Sequence, residues 1–285
     1  MHKMHKSGKA VDKRKPQKAE TRSGEGFQQK KKTSGGYKNA PERRTEKHAE
    51  KRPEKRSGGS YFLYGRHPVE AALANPARRF RRILATKGAA VSLPQDLDIQ
   101  IITGEELAAL LPEGAVHQGM AAEVAPLGDG NLDDLIARER PIVILDQVTD
   151  PHNIGAILRS AAAFDAAGVV VMKHNAPDET GVLAKSASGA LEVVPVVRVP
   201  NLVQAMEYLK KNGYWCAGMD GKATQTLAEA KLGTKTALVM GAEGAGLRRL
   251  TEEKCDLLVK LPISEKMESL NVSNAAAIAL YELNR

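Results

Sequence analysis

The amino-acid sequence predicts an α/β protein: a parallel sheet with helices on both faces, preceded by a small α/β domain. Two observations in the second half and one at the start predict it. From Pro141 onward, six short β-rich runs recur at Ile142–Leu145, Val169–Met172, Val193–Val197, Trp215–Ala217, Ala237–Met240 and Leu257–Lys260. They are continuously apolar rather than alternating, and helix-like segments such as Ile154–Phe164 and Leu202–Lys211 lie between most of them. That pattern belongs to strands buried on both faces of a parallel sheet. The third observation is charge. Residues 1–60 hold 19 Lys and Arg against 7 Asp and Glu, a net of +12, whereas residues 61–285 net −4.

The elements follow in order. Residues 1–60 have almost no aliphatic side chains to offset chain entropy, which predicts a disordered basic tail. A tail of this charge favours phosphate backbones in a salt-dependent, sequence-blind way. It has no apolar core segment and carries acids, which argues against a targeting peptide, and no apolar run approaches membrane-spanning length. Order is expected from Tyr61. Residues 61–127 read as the small domain, with strands at Tyr61–Tyr64, Arg82–Thr86, Ile99–Thr103 and Met120–Val124 and helices at Pro68–Ala74 and Glu105–Leu111. Residues 128–140, rich in Gly and Asp at their start, read as a linker, and 141–285 as the large domain. Cys216 and Cys255 lie in or beside apolar runs with no metal or redox spacing, which predicts reduced core thiols of a cytoplasmic protein and no metal site.

Ligands of parallel sheets bind beyond the carboxyl ends of the strands, so the loops there carry the functional question. After Leu145 comes Asp146–Gln147–Val148–Thr149–Asp150–Pro151–His152–Asn153, then a helix with Arg159 in its second turn. Asn153 suits a helix N-cap or a ligand contact. Arg159, on an otherwise apolar helix, needs a carboxylate, a phosphate or water. After Met240 comes Gly241–Ala242–Glu243–Gly244–Ala245–Gly246. Its order is G-x-x-G-x-G, so neither a dinucleotide fingerprint nor a Walker A loop is present, and a nicotinamide oxidoreductase is disfavoured. Glu243 is either a solvated turn acid or a partner for Arg159 or a ligand. After Leu261 a polar loop enters a helix of small residues, Asn274–Ala275–Ala276–Ala277, where Asn271 and Ser273 are both N-cap candidates. His67, His117, His152 and His174 show no partner spacing.

Three strings, DQVTDPHNIGAILRSAAAFDAAGVV (146–170), VMGAEGAGLRRL (239–250) and LPISEKMESLNVSNAAAIALYE (261–282), resemble in order and spacing the three motifs of the SpoU/TrmH branch of the SPOUT RNA methyltransferases. YGRHPVEAALANPARRFRRILAT (64–86) with HQGM (117–120) resembles the L30e-like RNA-binding domain that precedes the catalytic domain in the 23S rRNA ribose methyltransferases of that branch. The resemblance implies a C-terminal trefoil knot, which would account for the small residues of the last helix. It implies a homodimer with the active site at the subunit interface. It implies methyl transfer from S-adenosylmethionine to a ribose 2′-oxygen of RNA, a guanosine of 23S rRNA being the expected target and a tRNA ribose the rival. A non-catalytic ribosome-assembly factor is the alternative of a different class. No metal, DNA or membrane partner is implied. Carried onto this chain, the catalytic residues are Asn153, Arg159, Glu243, Ser269 and Asn271. The methyl donor is expected against Met219, Gly241, Leu261, Ile263 and Leu270. A guanidinium titrates above about 12, so Arg159 is better suited to hold a phosphate or a developing oxyanion than to act as a neutral base.

Overall fold

The computed structural model describes residues 59–285. The expected basic tail, apart from its last two residues, lies outside the described residues. The elements in chain order are β1 (Tyr61–Tyr64), α1 (Arg66–Ala74), β2 (Phe80–Ala85), α2 (Lys87–Ala90), β3 (Ile99–Ile101), α3 (Gly104–Ala109), β4 (Met120–Val124), α4 (Leu132–Ala137), β5 (Ile142–Leu145), α5 (Pro151–Ala163), β6 (Gly168–Met172), α6 (Gly181–Ala187), β7 (Val196–Val199), α7 (Leu202–Lys211), β8 (Trp215–Met219), α8 (Leu227–Ala230), β9 (Thr236–Met240), α9 (Arg249–Glu252), β10 (Leu257–Val259) and α10 (Val272–Leu283).

The first four strands form a mixed sheet in the order β1-β4-β2-β3, with β2 and β3 parallel and the other neighbours antiparallel. The other six form an all-parallel sheet in the order β10-β8-β9-β5-β6-β7. Both faces are covered, as the continuous apolar runs predict. Val143, Leu145, Val169, Val171, Leu238 and Met240 enter one buried cluster with α5, α6 and α10. Their neighbours Ile142, Ile144, Val170, Ala237 and Val239 enter a second cluster with α7 and Leu135 of α4. Successive side chains of a strand point to opposite faces, so each run feeds both cores. The chain steps outward from β5 to β6 and β7, then returns to build β9 and β8 on the other side of β5. The loops after β5 and β9 therefore open side by side, where such sheets bind ligands.

Several elements differ from the sequence reading, among them the short helices α2, α8 and α9, which it did not contain. The stretch read as linker carries α4, capped by Asn131 and anchored by the fully buried Leu135. The strand expected from Val193 begins at Val196, because Ala190–Glu192 forms a 3-10 turn and leaves Val193 exposed. The true N-cap of α5 is Asp150, whose carboxylate accepts from His152 N–H at 3.0 Å, so Asn153 already lies in the first helical turn with its side chain free for other bonds. Helix α6 gave no apolar periodicity because it is built of small residues. They are needed there: a Cβ on Gly155 of α5 would lie 2.5 Å from Ser186 Cβ and 2.6 Å from Leu183 O, so the two helices cross in backbone contact.

The smaller sheet is packed onto the larger through one continuous core. Leu63, Val69 and Ala122 share a buried cluster with Ile157, Leu183 and Ala187. A buried ion network reinforces the junction. Arg78, whose side chain is fully buried, donates to Glu192 Oε1 at 2.7 Å, to Glu179 Oε2 at 3.3 Å and to Ala125 O at 2.8 Å. The carboxylates belong to the larger sheet's connections and the guanidinium to the smaller sheet, so neither side is satisfied alone.

Candidate active site

The site lies where the loops after β5, β9 and β10 converge. Glu243 sits in a loop closed on itself by Ala242 N–H to Gly246 O at 3.1 Å and Gly246 N–H to Ala242 O at 2.9 Å. A Cβ on Gly241 would lie 2.2 Å from the carbonyl carbon of Gly246, so only glycine permits that closure. The closed loop holds the Glu243 carboxylate toward the start of α10. There Asn271 is the N-cap, its Oδ1 accepting from Ser273 N–H at 2.9 Å, from Asn274 N–H at 3.4 Å and from Ser273 Oγ at 2.5 Å.

With Oδ1 committed to the helix, Asn271 Nδ2 is left to donate. It donates to Glu243 Oε1 at 2.5 Å and to Asn153 Oδ1 at 3.0 Å. Glu243 Oε1 also accepts from Val272 N–H at 3.2 Å and from Asn153 Nδ2 at 3.4 Å. One residue from each of the three sequence motifs thus meets in a single exposed hydrogen-bonded trio. The carboxylate stands at the N-terminus of α10, where Val272 N–H donates to it. Glu243 is accordingly not a free turn acid, and its partners are Asn153 and Asn271 rather than Arg159.

Arg159 is exposed and has no hydrogen bond or ion pair among the described residues. Among the described residues no structural salt bridge is formed to it, and its guanidinium stands on α5 about two turns beyond Asn153. Ser269 is likewise exposed and makes no hydrogen bond among the described residues. The trio gathers Asn153, Glu243 and Asn271; it does not include Arg159 or Ser269.

Of the five residues expected against the methyl donor, Met219 and Gly241 stand at the carboxyl ends of neighbouring strands, and Leu261, Ile263 and Leu270 lie between β10 and α10. Met219 ends β8, Gly241 follows β9, and Leu261 follows β10. Met219, Gly241, Leu261 and Leu270 are half-buried, and Ile263 is exposed. The main-chain N–H and C=O groups of Leu261, Ile263 and Leu270 have no hydrogen-bond partner among the described residues.

Sequence reasoning missed the strut beneath this site. Asp146, fully buried just after β5, accepts from Arg248 N–H at 3.0 Å and from Arg248 Nε at 2.6 Å. It ties the β5 and β9 loops together. An acid immediately after an apolar strand was the available signal. Both thiols are free and shielded: burial first, then the Asp256 carboxylate, pushes Cys216 and Cys255 up to about 12. Among the described residues no group of His, Cys, Asp and Glu could hold a metal ion, and no helix is long and apolar enough to cross a membrane.

Two family models match the chain: "SpoU rRNA Methylase family" over residues 140–281 and "RNA 2'-O ribose methyltransferase substrate binding" over residues 62–129. Among curated proteins, the 23S rRNA (guanosine-2'-O-)-methyltransferase RlmB of Vibrio vulnificus is 42% identical over 238 residues, covering 79% of this chain and 96% of that protein. The enzyme of the same name from Escherichia coli K12 is 41% identical over 240 residues, covering 79% and 98%. In three dimensions the chain is similar to the SpoU methyltransferase AviRb of Streptomyces viridochromogenes in complex with the cofactor AdoMet, with a TM-score of 0.66 and 26% identity over 79% of this chain and 89% of that one.

Proposed function

The chain belongs to the SpoU rRNA methylase family, and from that premise we propose that it transfers the methyl group of S-adenosylmethionine to the 2′-oxygen of a guanosine in 23S rRNA. The observation that carries the reading is the trio Asn153–Glu243–Asn271, which joins all three motif loops at the carboxyl ends of the parallel strands. The 41–42% identity to named 23S rRNA guanosine methyltransferases, nearly end to end, favours rRNA over tRNA.

The bound donor supplies a methyl group made electrophilic by its sulfonium, so no metal is required. The free main-chain groups of Leu261, Ile263 and Leu270, with Met219 and Gly241 beside them, form its seat on this reading. Asn153 and Asn271 fix the Glu243 carboxylate between the motif loops, and the trio orients the ribose hydroxyl for in-line attack. Arg159, unpaired among the described residues, is free to take a substrate phosphate and to stabilise the 2′-oxyanion: the hydroxyl proton passes to solvent water, the oxygen–methyl bond forms, and the methyl–sulfur bond breaks to leave the neutral thioether. Ser269 is assigned to the substrate side of the same opening.

On this reading the domains are the basic tail to residue 60, the RNA-binding domain at 61–127 and the methyltransferase domain at 141–285, with a knotted C-terminal chain. The protein works as a homodimer in the cytoplasm. The exposed Ile278 and Tyr281 of α10, 46% and 54% accessible, support an interface on that face. Labelled methyl transfer tests the proposal. Transfer into unmodified 23S rRNA transcript but not into bulk tRNA is expected, and the reverse preference overturns the rRNA assignment.

A further inference from the structure

Lys185 stands on α6 at the junction of the two sheets. Its ammonium has one partner, the neutral side-chain carbonyl of Gln118 at 3.1 Å, and no carboxylate among the described residues pairs with it. The amine is pressed into the junction: a Cβ on Gly65, which has φ of 91°, would lie 2.3 Å from Lys185 Nζ. Gln118 is held there with φ of 53°, a left-handed conformation that a non-glycine residue adopts at a cost. Its carbonyl also accepts from Arg66 N–H at 3.0 Å. Burial lowers the pKa of the lysine, the response of a cation that lacks a counter-charge.

The position matters as much as the charge. The next residue, Ser186, meets His152 Nδ1 through its hydroxyl at 3.1 Å, and His152 precedes Asn153 of the trio. Adjacent residues of α6 thus face two ways: Lys185 meets Gln118, which also holds Arg66 N–H of the smaller domain, and Ser186 meets His152, the neighbour in sequence of Asn153. Lys185 is a half-buried cation between the RNA-binding sheet and the candidate active site.

We propose that Lys185 seats a backbone phosphate of the bound RNA, fixing the strand where it crosses from the smaller sheet to the nucleotide presented at Asn153. The inference rests on the RNA methyltransferase reading above. Lys185 is a positioning residue: the phosphate supplies the counter-charge that replaces the hydration the ammonium gives up on burial, and Gln118 aims the amine.

The test compares the full-length protein with Lys185→Gln and Lys185→Arg, using unmodified 23S rRNA transcript and S-adenosylmethionine in separate titrations. For Lys185→Gln, RNA binding weakens about tenfold at 0.15 M salt, and the slope of log affinity against log salt becomes shallower by about 0.7, the contribution of one single-strand phosphate. Donor affinity and melting temperature stay unchanged, and Lys185→Arg restores most of the binding. An unaltered slope in Lys185→Gln overturns the assignment, as does weaker binding that merely tracks a fall in melting temperature. Methyl transfer by the wild-type protein to the same transcript keeps the two readings apart. Transfer with an unaltered slope in the variant sinks the lysine assignment alone, whereas absent wild-type transfer with a shallower slope in the variant sinks the enzymatic reading alone.

Discussion

Asn271 does two jobs with one side chain, and substitution separates them. Its Oδ1 caps α10, and its Nδ2 ties Glu243 and Asn153 together. Asn271→Ala removes both. Loss of the cap costs about 1 kcal/mol. The charge-assisted bond to Glu243, discounted for its exposure, adds about 1 kcal/mol. For a folded region of this size a loss of about 2 kcal/mol lowers the melting temperature by roughly 4–8 °C. Asn271→Ser keeps a hydroxyl that caps as well as an amide, so its melting temperature should stay within about 2–4 °C of wild type. It still deletes the Nδ2 donor, leaving Glu243 Oε1 with Val272 N–H and the longer contact from Asn153. Methyl transfer by Asn271→Ser is expected to fall about 100-fold, the scale seen when a preorganised donor is removed. The assay pairs a thermal melt with single-turnover transfer to rRNA. If Asn271→Ser is as stable as wild type and within about threefold of its rate, the tie has no catalytic role.

Arg159→Ala and Arg159→Lys should leave the melt unchanged within about 0.5 kcal/mol, because the guanidinium is exposed and unpaired among the described residues, while transfer falls at least about 100-fold; near-full transfer by the Lys variant refutes the phosphate and oxyanion role. Arg78→Ala strands Glu192 and Glu179 at the junction of the sheets and should cost about 3–5 kcal/mol, read as a lower melting temperature or loss of soluble protein. Cys216 and Cys255, both pushed up to about 12, remain thiols at pH 8, so a thiol reagent should label them slowly in the folded protein and fully after denaturation; fast labelling of the folded protein contradicts their shielding.

The large sheet was legible because its strands are buried on both faces. Ile142–Leu145 and Ala237–Met240 carry no polar interruption, and both are strands of the parallel sheet. Helix α6 was illegible for the opposite reason. Close crossing with α5 at Gly155 demands small residues, which erases the apolar stripe that a sequence reading follows. The candidate site was legible at the level of motifs, since Asn153, Glu243 and Asn271 each follow a strand. Their mutual bonding was not, because which of two asparagines caps a helix depends on the loop that delivers it. Asp150 takes the cap of α5 and releases Asn153, whereas Asn271 takes the cap of α10 and shares its amide. The Asp146–Arg248 strut joins positions 102 residues apart, beyond any local pattern.

The proposed product is a guanosine of 23S rRNA with a methyl group on its 2′-oxygen. Mapping 2′-O-methylation across 23S rRNA and tRNA, from cells with and without this protein, tests it most directly. One 23S rRNA guanosine is expected to lose its 2′-O-methyl group in the deficient cells and to regain it when the wild-type protein, but not Asn271→Ser, is supplied. Complete 23S rRNA methylation in the deficient cells, with a ribose methyl missing from a tRNA instead, would contradict it.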